Sequence, residues 1–120
     1  MGFIGRGDVL VLVSRGGKTA ELLPMAEIAR KRGAGIITLT ENAASPLAAL
    51  SDVVLLLKNI EESDPTGLMA TSSFLAPVAL FDALLSALIV ETGFAGGKFG
   101  LIHPGGAVGE KLNARKQRQT

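Results

Sequence analysis

No cysteine, tryptophan or tyrosine occurs in the 120 residues, and histidine occurs once. Without cysteine there is no disulfide and no thiolate nucleophile, and a single imidazole cannot build a zinc site without an unusual set of carboxylates. The chain therefore reads as free of metal and cofactor. Aromatic residues make up only 4%, and 12 Lys and Arg nearly balance 11 Asp and Glu for a net charge of +1, so neither stacking rings nor a basic face argues for nucleic acid. The opening stretch, MGFIGRGDVL, lacks the charged start and continuous apolar core of a signal peptide, which leaves the cytoplasm as the default location. A clean membrane span is also missing. The longest apolar run, Phe74 to Val90, has 17 residues and contains Pro77 and Asp82. Because that run is apolar on nearly every face, burial on several sides is expected for it, in a core or at a subunit interface.

What is present is 48% hydrophobic and 19% charged, the balance of a single α/β domain with one well-buried core. Asp8 to Ser14 is a Val-rich run that predicts a strand. From Thr19 to Arg32, Leu22, Leu23, Met25, Ala26, Ile28 and Ala29 recur at helical spacing. The pattern repeats: Ala34 to Glu41 reads as a strand, Ser45 to Ser51 as a short helix and Asp52 to Lys58 as a third strand. Buried strands alternating with helices imply a parallel sheet with right-handed crossovers. Asn59 to Ser73 is polar and turn-rich, and leads into a long helix ending near Thr92 and Gly93. A glycine-rich stretch, 93–100, then precedes LIHPGGAVGEKL, and the tail NARKQRQT reads as a solvated, frayed end. Three strands leave the first one as an edge that is apolar on both faces, so something should cover it.

The loop SRGGKT leaves the carboxyl end of the first strand, where open α/β sheets place their ligands. Ser14 and Thr19 offer hydroxyls, Gly16 and Gly17 permit close backbone approach, Lys18 adds a charge, and the following helix directs free N–H groups at an anion. A two-glycine turn with Thr19 as an ordinary helix cap fits the same residues. Thr71, Ser72 and Ser73 stand where the long helix begins and fit either capping or phosphate binding. Glu61 and Glu62 lie in a polar loop. His103 precedes the rigid turn Pro104-Gly105-Gly106, and Glu21 sits in the first turn of its helix, where it would complement the dipole.

Taken together, SRGGKTAEL, ITLTENAASPLAALSDVVL, EESDPTGLMATSS with FDALLSALI, and HPGGAVGEKL resemble the sugar isomerase (SIS) domain, in the branch related to arabinose-5-phosphate isomerase. The resemblance spans about Gly5 to Leu112. It implies a three-layer α/β sandwich of flavodoxin type, with about three strands here because a preceding half of the domain is absent. Residues 1–112 would then be a partial SIS domain and 113–120 a solvated tail. It also implies a sugar phosphate as the small-molecule partner, no nucleic acid or membrane, and assembly as a homo-oligomer or with the missing half. Ser14, Gly16 and Thr19 fall on the family's phosphate loop, and Glu21, Glu62 and His103 on its site carboxylates and histidine. Many members carry a second serine where Gly16 stands, and Asp64 and Thr66 replace a more usual cysteine and leucine. The implied activity is aldose-ketose isomerisation by enediol proton transfer, with Glu62 or His103 as the base; a non-catalytic sugar-phosphate sensor is the alternative.

Overall fold

A computed structural model describes residues 2–58, 60–94 and 105–118. The chain divides into two compact units, Met1–Ala79 and Leu80–Thr120. In the first, strands β1 (Val9–Val13), β2 (Gly35–Thr40) and β3 (Val53–Leu56) lie side by side in that order, all parallel. Helix α1 (Leu22–Lys31) joins β1 to β2, and the short α2 (Pro46–Leu50) joins β2 to β3. This is the parallel α/β sheet the sequence predicts.

Register sets Leu10 beside Ile36, Leu12 beside Thr38 and Thr38 beside Val54. Alternation along each strand puts these residues on one face. There Leu12 and Ile36 form the core with Ala26 and Ala29 of α1, Leu47 of α2, and Ile4 and Ala34. Burying a side chain the size of Ile36 or Leu47 contributes about 2 kcal/mol, so a few such residues anchor both helices. Thr38, fully buried on the same face, accepts a hydrogen bond from the Ser51 hydroxyl at 2.7 Å. The opposite face is different. Val9, Val11 and Val13 of β1 and Val53 of β3 are roughly half exposed there, whereas Leu39 is covered. Among the described residues no strand pairs with the outer side of β1, so the edge anticipated from the sequence stands uncovered.

Two helix ends show how local sequence sets the boundaries. Helix α1 stops at a Schellman turn: Gly33 adopts φ +78°, its N–H donates to the Arg30 carbonyl, and the Ala34 N–H donates to that of Ala29. Arg30 and Lys31 in the last turn complement the dipole. Helix α2 begins with Ser45, whose hydroxyl accepts the Ala48 N–H, followed by Pro46 in the first turn.

Helix α3 (Ser72–Glu91) crosses from the first unit into the second. An 18-residue stretch within it has mean hydropathy 2.1, and the helix is long and apolar enough to cross a membrane by length and composition alone. The sequence predicts burial on several sides, but only Pro77 is buried. Phe74, Leu75 and Val78 are exposed in the first unit, and Leu85, Leu88 and Val90 in the second. The second unit also holds α4 (Gly106–Gln117). Residues 113–117, read from the sequence as part of a frayed end, are therefore helical, in keeping with the helix propensity of Ala, Arg, Lys and Gln.

Candidate functional site

The carboxyl ends of β1 and β2 open into the loops that the sequence singles out. The Ser14 N–H still donates to Leu39 in the sheet, and its hydroxyl accepts the Gly17 N–H at 3.1 Å and meets the Thr19 hydroxyl at 2.7 Å. The two hydroxyls are thus brought together at the base of the loop. Gly17 has φ +65°, and a Cβ there would lie 2.0 Å from Ser45 Oγ and 3.0 Å from Thr40 Oγ1. Only glycine fits. Its carbonyl accepts the Leu47 N–H, which ties the loop to α2. Gly16 is less constrained, because a Cβ would meet only the flexible Lys18 side chain at 3.8 Å. Lys18 is exposed and joins neither of the ion pairs among the described residues.

The helix after this loop starts later than the sequence predicts. Thr19 does not cap α1: its hydroxyl faces Ser14, its carbonyl accepts the Leu22 N–H in a turn, and the capping position falls to Glu21. Glu21 is exposed, makes no side-chain cap, and stands just outside the first turn rather than in it.

Glu62 lies across from the loop, its side chain only 3% exposed. One carboxylate oxygen pairs with Arg15 Nη1 at 2.6 Å. The other accepts the Thr71 N–H at 2.8 Å, the Thr71 hydroxyl at 2.9 Å and the Ser73 N–H at 3.2 Å. The carboxylate therefore satisfies N–H groups where α3 begins, where a negative charge is favoured. Hydrogen bonding from the Ser73 hydroxyl lowers its pKa most, burial works against this, and the Thr71 and Ser73 backbone N–H groups and the Thr71 hydroxyl lower it further, to about 2. The Thr71 and Ser73 donors thus have a partner within the chain. Glu62 already engages them. Ser72, between them, is half-buried and opens α3. Nearby, Asp64 is lowered chiefly by the Thr66 hydroxyl and then, against burial, by the N–H groups of Thr66, Met69 and Gly67.

Arg15 went unrecognised as a site residue in the sequence, although it follows Ser14 directly. Its Nε pairs with Glu41 at 2.7 Å, and its Nη2 donates to the Ile60 carbonyl at 2.9 Å. Val13, Arg15, Leu39, Thr40, Glu41, Leu57, Ile60, Ser73 and Pro77 line a cavity of about 30 Å³ at this point. That is room for a water molecule rather than for a sugar, whose pockets are roughly tenfold larger. Among the described residues no cluster of His, Asp and Glu could hold a metal ion. His103 lies outside the described residues.

A family model for the SIS domain matches residues 1–87. The chain is 38% identical over 112 residues to arabinose 5-phosphate isomerase KdsD of Pseudomonas aeruginosa, an alignment covering 93% of this chain and 34% of that protein. It therefore spans about a third of the length of this curated relative. Among solved structures, a Listeria monocytogenes protein classed with the sugar-phosphate isomerases superposes with a TM-score of 0.82 at 35% identity, covering 87% of this chain and 55% of the other. Protein c3406 of Escherichia coli CFT073, in complex with arabinose 5-phosphate, superposes with a TM-score of 0.79 at 32% identity, covering 86% and 55%. The parallel sheet, the hydroxyl-and-glycine loop at its carboxyl end and these matches lead to one conclusion: the chain belongs to the SIS-domain family.

Proposed function

We propose that this chain carries part of a phosphosugar aldose-ketose isomerase site, with arabinose 5-phosphate and ribulose 5-phosphate as substrate and product. The observation that carries the proposal is that Arg15 joins Glu62 to the loop Ser14–Thr19, so that a hydroxyl-and-glycine loop suited to a phosphate and a fixed anion suited to sugar hydroxyls meet at one sheet edge. The arabinose 5-phosphate held by the similar c3406 supports the choice of ligand.

In this reading Ser14, Gly16, Gly17 and Thr19 cradle the phosphate, and Lys18 supplies the charge. Isomerisation moves a proton between C2 and C1 of the open-chain sugar through an enediol, with a second proton passing between the two oxygens. A carboxylate with a pKa of about 2 is a poor base near neutral pH. Glu62 therefore orients the sugar, and proton transfer falls to His103, whose imidazole type titrates near the working pH. Glu21 is assigned to hydroxyl contacts. A cavity of about 30 Å³ calls for further walls, so a second copy or further polypeptide completes the site. We place the protein in the cytoplasm, where charged sugar phosphates are retained.

The engaged state of Glu62 also favours a second reading, a module that binds a sugar phosphate without turning it over. Incubating the full chain with arabinose 5-phosphate in deuterated water separates the two. Deuterium at the transferred carbon together with ribulose 5-phosphate supports the isomerase. Binding without exchange supports the module, and neither binding nor exchange at concentrations where the chain is assembled overturns both.

A further inference from the structure

The Arg15 side chain, at the end of β1, ties together the end of β2 and the loop that holds Ile60 and Glu62. Its Nε holds Glu41 at the end of β2, its Nη1 holds Glu62, and its Nη2 holds the Ile60 carbonyl. Its own carbonyl accepts the Glu41 N–H and the Thr40 hydroxyl, both at 2.9 Å, which fixes the base of the side chain as firmly as its head. A guanidinium presents its donors in a rigid planar fork, whereas a lysine ammonium is a compact charge on a flexible stem that cannot reproduce three directed contacts. Two carboxylates already meet the Arg15 charge, so it is ill suited to receive a phosphate.

We propose that Arg15 is a positioning residue: it locks the Glu62 carboxylate against the loop Ser14–Thr19, so that the anion-binding and hydroxyl-binding parts of the site hold one fixed spacing, and it leaves the phosphate charge to Lys18. The groups facing Glu62 are Arg15 from the end of β1 and Thr71 and Ser73 from the start of α3, while Glu41 holds the far side of the guanidinium. For its ligand this inference rests on the isomerase-site reading above, but its first test needs no ligand.

That test follows the Thr71 and Ser73 amide signals, which report on Glu62, by NMR of the full chain as pH is lowered. In the parent chain they should show no step above about pH 3, whereas in Arg15→Gln a step should emerge above it, because a carboxylate no longer held by the Arg15 fork loosens the Thr71 and Ser73 bonds that keep it ionised. In Arg15→Lys, which keeps the charge and loses the fork, both signals should be displaced already at neutral pH. Unchanged amide profiles in both folded variants overturn the proposal. The second test measures arabinose 5-phosphate affinity, where Arg15→Lys should weaken binding by about tenfold or more. Parent-like affinity in Arg15→Lys also overturns the proposal. If the parent chain fails to bind this sugar phosphate, the isomerase-site reading falls, and the amide profiles still decide the role of Arg15.

Discussion

Glu62 ties acid stability to a carboxylate held well below its ordinary pKa. Its folded pKa of about 2 lies below the ordinary 4.5, and a carboxylate so depressed contributes its full stabilisation above the unfolded value and loses it as pH falls through the folded one. Stability should thus decline between about pH 4.5 and pH 2, and Glu62→Gln should remove much of that slope. Asp64 is lowered in the same sense, so Asp64→Asn serves as the comparison. Urea midpoints measured across this window check both, and a parent-like slope in Glu62→Gln would assign the acid sensitivity elsewhere. The two loop glycines provide a sharper contrast. Gly17→Ala should cost about 2–4 kcal/mol, combining a left-handed backbone with a Cβ driven into Ser45. Gly16→Ser should stay within about 0.5 kcal/mol and adds a hydroxyl to the loop. Thermal unfolding of the two variants tests the pair.

At the scale of elements, short helices depend on their ends. Ser45→Ala removes the α2 cap and should destabilise the chain by about 1 kcal/mol, since a five-residue helix has little propensity of its own to fall back on. Ser45 is also the residue that a Gly17 side chain would strike. The energies of Gly17→Ala and Ser45→Gly should therefore fail to add, with the double variant less destabilised than the sum, as chemical denaturation of all three proteins would reveal. Helix α3 follows another logic. Its first turn is specified by the Glu62 bonds, whereas its length follows from a predominantly apolar sequence that tolerates Pro77 and Asp82.

For the whole molecule, the exposed apolar side chains of α3 and the bare valines of β1 exceed what a free monomer ordinarily presents to water. These surfaces should be covered by self-association or by further polypeptide. Sedimentation at low micromolar concentration reads this directly. Substituting Val11, which projects from the uncovered sheet face, by Lys should reduce association without touching the core. A monodisperse, cooperatively folded monomer of the parent chain would refute the expectation.

The strands were legible because runs such as Val9–Val13 and Gly35–Thr40 carry their own β preference, and their alternation with helical spacing leaves a parallel sheet as the natural arrangement. The turn from β1 toward α1 was legible for the same reason, since it is local and lies within six residues of sequence. The start of α1 was misplaced because the Thr19 hydroxyl has a choice of partners, and only packing shows that Ser14 wins over the helix end. Arg15 and Glu62 are 47 residues apart, and nothing in the intervening sequence announces their pairing. The sequence by itself determined which groups are available at the sheet edge. The tertiary structure decided which of them are already engaged, because a directed bond between distant residues depends on where three separate loops converge, and that is a property of the packed sheet rather than of any one segment.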